Sequence, residues 1–372
     1  MSQTRAILRS ASELRRAGGP FLLATVVRVE GSSYRRPGAR VLLSEERWEA
    51  GSVSGGCLER DLMRKGWWRT QAGSPALVTY DSTGEDETGW AFGLGCGGVV
   101  ELLLERLGAG GGLDPLRFIE RCGEAQERGV LATVFRSEEP STPVGAHLCL
   151  GASGAIDADP IDPQLRERMV EACRVVLARG ESVVRTCAGS GGSAEVLFEA
   201  VEPPPRLFVC GTGQDAVPLV KGASALGWEV FACESQARWA TRTRFDQADG
   251  IVVGAGELAL KVNQSWRALA VVMSHDYAQD RAYLAALLPT RARYLGLLGP
   301  RRRSERLWSE VTGRACLDDP RLHAPVGLDL GAETPHEIAL SVLAEMQAVL
   351  AHAAGGKLSD RSGPIHGRSE EP

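Results

Sequence analysis

The chain has 372 residues, 44% hydrophobic and 24% charged, the balance of an ordinary globular protein long enough for two buried cores. Its 42 basic and 47 acidic residues leave a net charge of −5, which argues against nucleic acid or an anionic membrane surface as a partner. The nine cysteines, odd in number and scattered, fit reduced thiols in the cytoplasm better than a disulfide framework.

Ile7, Leu8, Ala11 and Leu14 stand at helical spacing, so the amino terminus reads as an amphipathic helix and not as a signal peptide. No stretch approaches the roughly 18 uncharged apolar residues of a membrane span. From 1 to about 107, strands at 21–29, 40–44, 76–80 and 99–107 are broken by GSVSGGCLE, a helix at 58–65 and GLGCGG. That alternation predicts a small α/β unit. Residues 108–202 carry a loop (108–112), a strand (130–135) and a helix (163–177). They read as an exposed connecting portion that finishes the first domain's sheet, and no internal repeat is visible. Three prolines at 203–205 then mark a boundary.

The next section opens with an apolar strand running into Gly211-x-Gly213-x-x-Ala216, a helix to 226 and a strand ending at Glu234. This predicts the first βαβ of a Rossmann-like domain with a parallel sheet, continued by strands at 251–253, 268–273 and 294–298. Thr334, Pro335 and Glu337 start a last helix, with Ile338, Val342, Met346 and Val349 as its apolar stripe. The expected division is therefore 1–202, 206–354 and a disordered tail at 355–372.

Two cysteines lie in glycine-rich turns. Cys57, within Ser54-Gly55-Gly56-Cys57-Leu58-Glu59, stands where a helix begins, and the positive end of a helix dipole favours a thiolate. Cys96 lies in GLGCGG, where backbone N–H groups would surround a ligand. Soft thiolates suit a soft metal or sulfur transfer. The plainer alternative is core filling, which is expected of the other seven cysteines. The turn at 31–38 carries Tyr34, Arg35 and Arg36, whose ring and guanidinium forks fit a flat heterocycle and a phosphate, although a solvated hairpin loop looks similar.

In the second domain Gly211 and Gly213 form the tight turn, and Glu234 stands where an acid can bond a ribose hydroxyl. His275 and Asp276 follow a strand at the carboxyl edge of the sheet, placed to act as acid, base or ligand, or simply to cap the next helix. Arg301, Arg302 and Arg303 open a helix and can hold a phosphate or form a solvated basic face.

Taken in order, GSSYRRPGAR, GSVSGGCLE and GLGCGG resemble the amino-terminal domain of the xanthine dehydrogenase accessory protein family, which includes carbon monoxide dehydrogenase accessory relatives. PPPRLFVCGTGQDAVPLVKGASALGWEV, VVMSHDYAQD, YLGLLGPRRRSERL and APVGLDLGAETPHEIALSVLAEMQAV resemble its Rossmann-like domain. The resemblance implies binding of the molybdenum cofactor (molybdopterin), its protection, and its delivery in sulfurated form to a molybdenum hydroxylase such as xanthine dehydrogenase. The family's glycine-flanked cysteines map onto Cys57 and Cys96. Gln214 stands where relatives often have histidine, and Ser274 where threonine is frequent. The first change puts in doubt an acid–base role for that turn.

On this reading the chain is a two-domain α/β carrier and chaperone that needs no turnover of its own. Cys57 is the first choice to contact molybdenum or the transferred sulfur, and Cys96 the second. Gly211, Gly213 and Glu234 would bind a nucleotide or pterin-phosphate end, surrounded by His275, Asp276 and the arginines. Two other readings are an NAD(P)-dependent oxidoreductase and a docking scaffold between a cysteine desulfurase and the target enzyme. A homodimer is the default assembly.

Overall fold

The predicted apolar stripe at the amino terminus forms a helix, α1 (Ser2–Ala17), which buries Ile7 and Ala11 against Phe21, Leu23 and Leu42. The computed structural model describes residues 2–31, 35–81, 98–108, 112–235 and 243–360; Tyr34, Cys96 and 361–372 of the tail lie outside them. The chain divides into two units, Met1–Pro203 and Pro204–Pro372.

In the first unit α1 is followed by β1 (Phe21–Gly31), β2 (Arg40–Leu43), β3 (Trp48–Gly51), α2 (Cys57–Arg69), β4 (Ala76–Asp81) and β5 (Gly98–Leu107). The strands make a five-stranded sheet in the order β3-β2-β1-β5-β4, with the pairs antiparallel. The expected mixture of helix and strand is present, built on an antiparallel sheet. Alternate side chains set its two faces. Leu22, Ala24, Leu102 and Leu104 pack under Leu58 and Leu62 of α2, while Val27 and Leu103 face the other way.

Residues 108–202 are not a connecting portion. They build α3 (Pro115–Ala125), β6 (Gly129–Ser137), β7 (His147–Gly151), β8 (Ile156–Ala158), α4 (Pro163–Arg179), β9 (Val183–Ala188) and β10 (Ser193–Val201). These strands form their own five-stranded sheet, β8-β7-β6-β10-β9, with α4 packed on one face through Leu165, Met169, Cys173 and Val176.

The first unit is thus a repeat, contrary to the expectation from sequence. Each half runs helix, three strands, helix, two strands, and each sheet has the same strand order. With the halves aligned, Leu23-Ala-Thr-Val-Val-Arg28 corresponds to Leu131-Ala-Thr-Val-Phe-Arg136, and Gly38-Ala-Arg40 to Gly145-Ala-His147. Glu101 and Glu105 correspond to Glu195 and Glu199. Even the bulge recurs, at Val26/Arg28 of β1 and at Glu195/Val196 of β10 opposite Val134/Arg136.

The two sheets stack on each other through Val27, Leu103, Phe135 and Leu197. Around this patch the charges pair reciprocally. Arg28 bonds Glu195 at 2.5 Å, and Arg136 bonds Glu101 in return. Arg40 bonds Glu199 at 2.5 Å, and His147 bonds Glu105 at 2.8 Å in return.

The second unit holds β11 (Arg206–Cys210), α5 (Ala216–Ala225), β12 (Glu229–Glu234), β13 (Gly250–Val253), α6 (Gly254–Val262), β14 (Ala268–Val272) and α7 (Tyr277–Leu287). It ends with β15 (Tyr294–Leu297), α8 (Arg301–Thr312), β16 (Leu322–His323) and α9 (Pro335–Leu350). The sheet is six-stranded and parallel, in the order β13-β12-β11-β14-β15-β16. Helices α5 and α9 cover one face and α6, α7 and α8 the other. Thr334 and Glu337 form the expected capping box of α9. Because β11 sits between β12 and β14, the chain reverses direction across the sheet there, and open α/β sheets bind ligands at such a point. Among the described residues no helix is long and apolar enough to cross a membrane.

Candidate functional site

Strand register brings several sequence motifs to one edge of the first sheet. Thr25 pairs with Arg40, and Val41 with Gly51, so the loop carrying Arg35 and Arg36 leaves the same edge as the loop that leads into Cys57. Gly31 pairs with Gly98, and Val99 with Asp81, so Asp81 and Gly98 stand at that edge as well. Arg35 and Arg36 line a cleft of about 320 Å³ with Ile7, Arg40 and Leu116.

Cys57 is the first residue of α2 and is half-buried. The loop before it is organised by Glu59, a buried residue that the sequence reading passes over. Its carboxylate accepts from Ser52 Oγ (2.8 Å), Val53 N (2.8 Å), Ser54 N (2.9 Å) and Gly56 N (3.0 Å), and also from Ser54 Oγ. Burial pushes this carboxyl up, but the hydrogen bonds from Ser54 and Ser52 outweigh it and hold the group below its ordinary value. Ser54 Oγ in turn accepts from Leu58 N at 3.1 Å and from the Cys57 thiol at 3.5 Å. Gly56 has φ +115°, and among the described residues nothing lies within 4 Å of where its Cβ would be, so they leave the backbone ahead of Cys57 open. The signal available in sequence is a glutamate three residues after the helix cap.

The second repeat closes the equivalent edge. Asp162 caps α4 there, accepting from Leu165 N (2.9 Å), Ser190 N (3.1 Å) and Ser190 Oγ (2.5 Å). Pro163 holds the first helical position, where the first repeat has Cys57. A glycine and a thiol thus replace a carboxylate and a proline.

Among the other cysteines, Cys122, Cys149, Cys173, Cys187, Cys210 and Cys233 are buried, as core filling requires, but Cys316 is exposed. Burial pushes Cys122 up to about 11, and Cys149 and Cys173 up to about 12, so these remain protonated thiols.

In the second unit Gly211 has φ +140°, and a Cβ there would meet the Met273 carbonyl oxygen at 2.5 Å. The glycine lets the ends of β11 and β14 approach. His275, just past β14, is a non-glycine residue at φ +61°. Its Nε2 lies 2.7 Å from Asp215 Oδ2, at the start of α5. The other oxygen, Asp215 Oδ1, is buried without a hydrogen-bond partner among the described residues. The His275 loop is fixed by Asp280, which accepts from Ser274 N (3.1 Å) and Ser274 Oγ (2.5 Å) and pairs with Arg303 at 2.6 Å. Asp276 caps α7 through Ala278 N (2.9 Å) and Gln279 N (3.0 Å). Arg301 pairs with Glu305 on its own helix, and Arg302 is exposed. Glu234 ends β12 and is 6% exposed.

Residues 207–346 match the XdhC Rossmann domain, and residues 14–81 match the XdhC and CoxI family. The chain is 30% identical to a protein of Bacillus subtilis (strain 168) described as a probable xanthine dehydrogenase subunit, over 87% of this chain and 92% of that protein. It belongs to the XdhC and CoxI family. Another relative is the molybdenum cofactor insertion chaperone PaoD of Escherichia coli (strain K12), 25% identical over 94% of this chain and 89% of PaoD. A crystal structure described as a xanthine dehydrogenase from Bacillus halodurans superposes with a TM-score of 0.69 at 26% identity, covering 94% of this chain and 97% of that one.

The XdhC and CoxI match takes in Arg35, Arg36 and Cys57, and the XdhC Rossmann match takes in Gly211 through Arg303. The second repeat's sheet lies outside both matches. Asp215, which the sequence reading does not single out, falls inside the second match and in contact with His275.

Proposed function

We propose that this XdhC-family protein binds the molybdenum cofactor, shields it, and hands it to a molybdenum hydroxylase of the xanthine dehydrogenase type. The observation that carries the reading is the gathering of Cys57 and the Arg35–Arg36 loop at one edge of the first sheet. A half-buried thiol at a helix amino terminus, beside an open glycine backbone, is suited to a soft metal or a transferable sulfur. The two guanidinium groups at the same edge suit the phosphate end of the cargo. Cys96, two residues before Gly98 of β5, is the second candidate thiol. The likeness to PaoD, a molybdenum cofactor insertion chaperone, supports cargo handling, and the Bacillus subtilis relative supports the class of recipient. In this role the cargo arrives and leaves intact, so the chain's residues hold and release it and form no product. A cysteine desulfurase would supply the sulfur of the sulfurated form.

The test is the molybdenum and pterin content of the chain purified from a host that makes the cofactor, with Cys57→Ala beside wild type. Elemental analysis gives the metal, and fluorescence of the oxidised pterin gives the organic part. Equal amounts on wild type, reduced at least severalfold in Cys57→Ala, are expected. If neither component co-purifies or binds on incubation with free cofactor, the carrier reading fails.

A further inference from the structure

The glycine turn of a dinucleotide-binding unit ordinarily leaves the start of the following helix open for a pyrophosphate. Here that place is taken by a carboxylate. Asp215 Oδ1 lies 2.7 Å from where a Cβ on Gly213 would be, directly over the second glycine of the turn. Asp276 stands beside His275 and adds a second carboxylate, committed to capping α7. Among the described residues Arg303 is held by Asp280 and Arg301 by Glu305, Arg244 donates to the Thr212 carbonyl at 2.7 Å, and Arg302 is exposed. A negative charge already occupies the helix start, so a phosphate placed there meets repulsion from Asp215.

The same arrangement suits the opposite chemistry. Asp215 offers two oxygens side by side, and among the described residues only one of them, Oδ2, has a partner, His275. The His275 side chain is 64% exposed, so it covers the carboxylate from the solvent side and can turn away. A flat ring with two adjacent N–H donors would replace the imidazole and engage both oxygens, including the orphaned one. Carboxylates bind paired donors in this bidentate way.

We propose that Asp215, beside the carboxyl ends of β11 and β14, recognises the amino-amide edge of a heterocycle, with His275 as its movable cover. That edge, a ring N–H next to an exocyclic NH₂, belongs both to a pterin and to guanine. The inference rests on the cofactor-carrier reading and deepens it. Taken by itself, the second unit would then receive a ring edge at this place and not a phosphate.

The experiment titrates the full-length chain with neopterin, guanosine, adenosine and NAD⁺ by calorimetry, using wild type, Asp215→Asn and His275→Ala. Asparagine keeps the shape but offers a single acceptor oxygen. Neopterin or guanosine should bind wild type, and whichever binds tighter identifies the ring as pterin or guanine. Asp215→Asn should weaken that binding at least tenfold, His275→Ala should tighten it severalfold, and adenosine and NAD⁺ should bind more weakly than either. The assignment is overturned if neither ring binds wild type, if Asp215→Asn binds as well as wild type, if His275→Ala weakens binding, or if NAD⁺ binds best. Cofactor retention on the same preparations separates the two failures. A chain that retains molybdenum and pterin without dependence on Asp215 loses only this assignment, whereas a chain that retains neither loses the carrier reading.

Discussion

His147 takes its role from partners elsewhere in the chain, Glu105 and Thr133. In the sequence it belongs to an unremarked segment; in the fold it is 2% exposed, bonded to Glu105 through Nε2 and to Thr133 through Nδ1 at 3.1 Å. Burial pushes its imidazolium towards neutrality, but Glu105, with Asp159 behind it, outweighs burial and raises the group above its ordinary value. A raised folded value means that the pair's contribution is fully present below the unfolded value of about 6.5 and is lost as pH rises through the folded one. Urea denaturation of wild type and His147→Gln should therefore show the largest difference in stability below about pH 6. The gap should narrow steadily towards alkaline pH, and a constant gap would exclude a charged pair.

Among the elements, the β11–turn–α5 segment is the most legible, because its signals are local. A strand, two glycines at fixed spacing and a helix all lie within 20 residues. The glycine at its tip has no freedom to change. Gly211→Ala forces a Cβ against the Met273 carbonyl at φ +140°, and should lower stability by about 2 kcal/mol or more in denaturant titration. Loss of less than about 0.5 kcal/mol would show that the β11–β14 approach is looser than described. The second repeat is illegible for the opposite reason. Glu195 and Glu199 on β10 alternate with Val196 and Phe198, which reads as a strand with one solvated face. That face is instead pressed onto the other sheet, and the groups that neutralise it, Arg28 and Arg40, lie more than 150 residues earlier. Asp215 escapes notice likewise, since its partner His275 is 60 positions away. Cys57 stands out because glycine, helix start and thiol are contiguous.

Across the molecule, the ion pairs between the two repeats act as a reciprocal joint. Removing one partner leaves the other charge buried and alone, which costs about 3 to 5 kcal/mol for a well-enclosed pair. Glu199→Ala, which strands the Arg40 guanidinium, should lie in that range. Exchanging the charges, with Arg40→Glu and Glu199→Arg together, should recover most of the loss that Arg40→Glu produces alone. If the double variant is no better than the single one, the pair contributes by shape and not by charge.

The duplicated architecture also bears on how the chain emerges from the ribosome. The first repeat is complete at Leu107, well before its opposite number has been made. The face it must later bury carries Arg28, Arg40, Glu101 and Glu105 around Val27 and Leu103, and also Phe21, Leu23 and Leu42, which cluster with Leu116, Ile119 and Leu131 of the second half. Charges set among these apolar residues make such a face less prone to clumping than a wholly apolar one. When the second half arrives, matching Arg136, His147, Glu195 and Glu199 select the correct mate and register. A joint in which charge is interleaved with apolar packing favours the right partner over a wrong one.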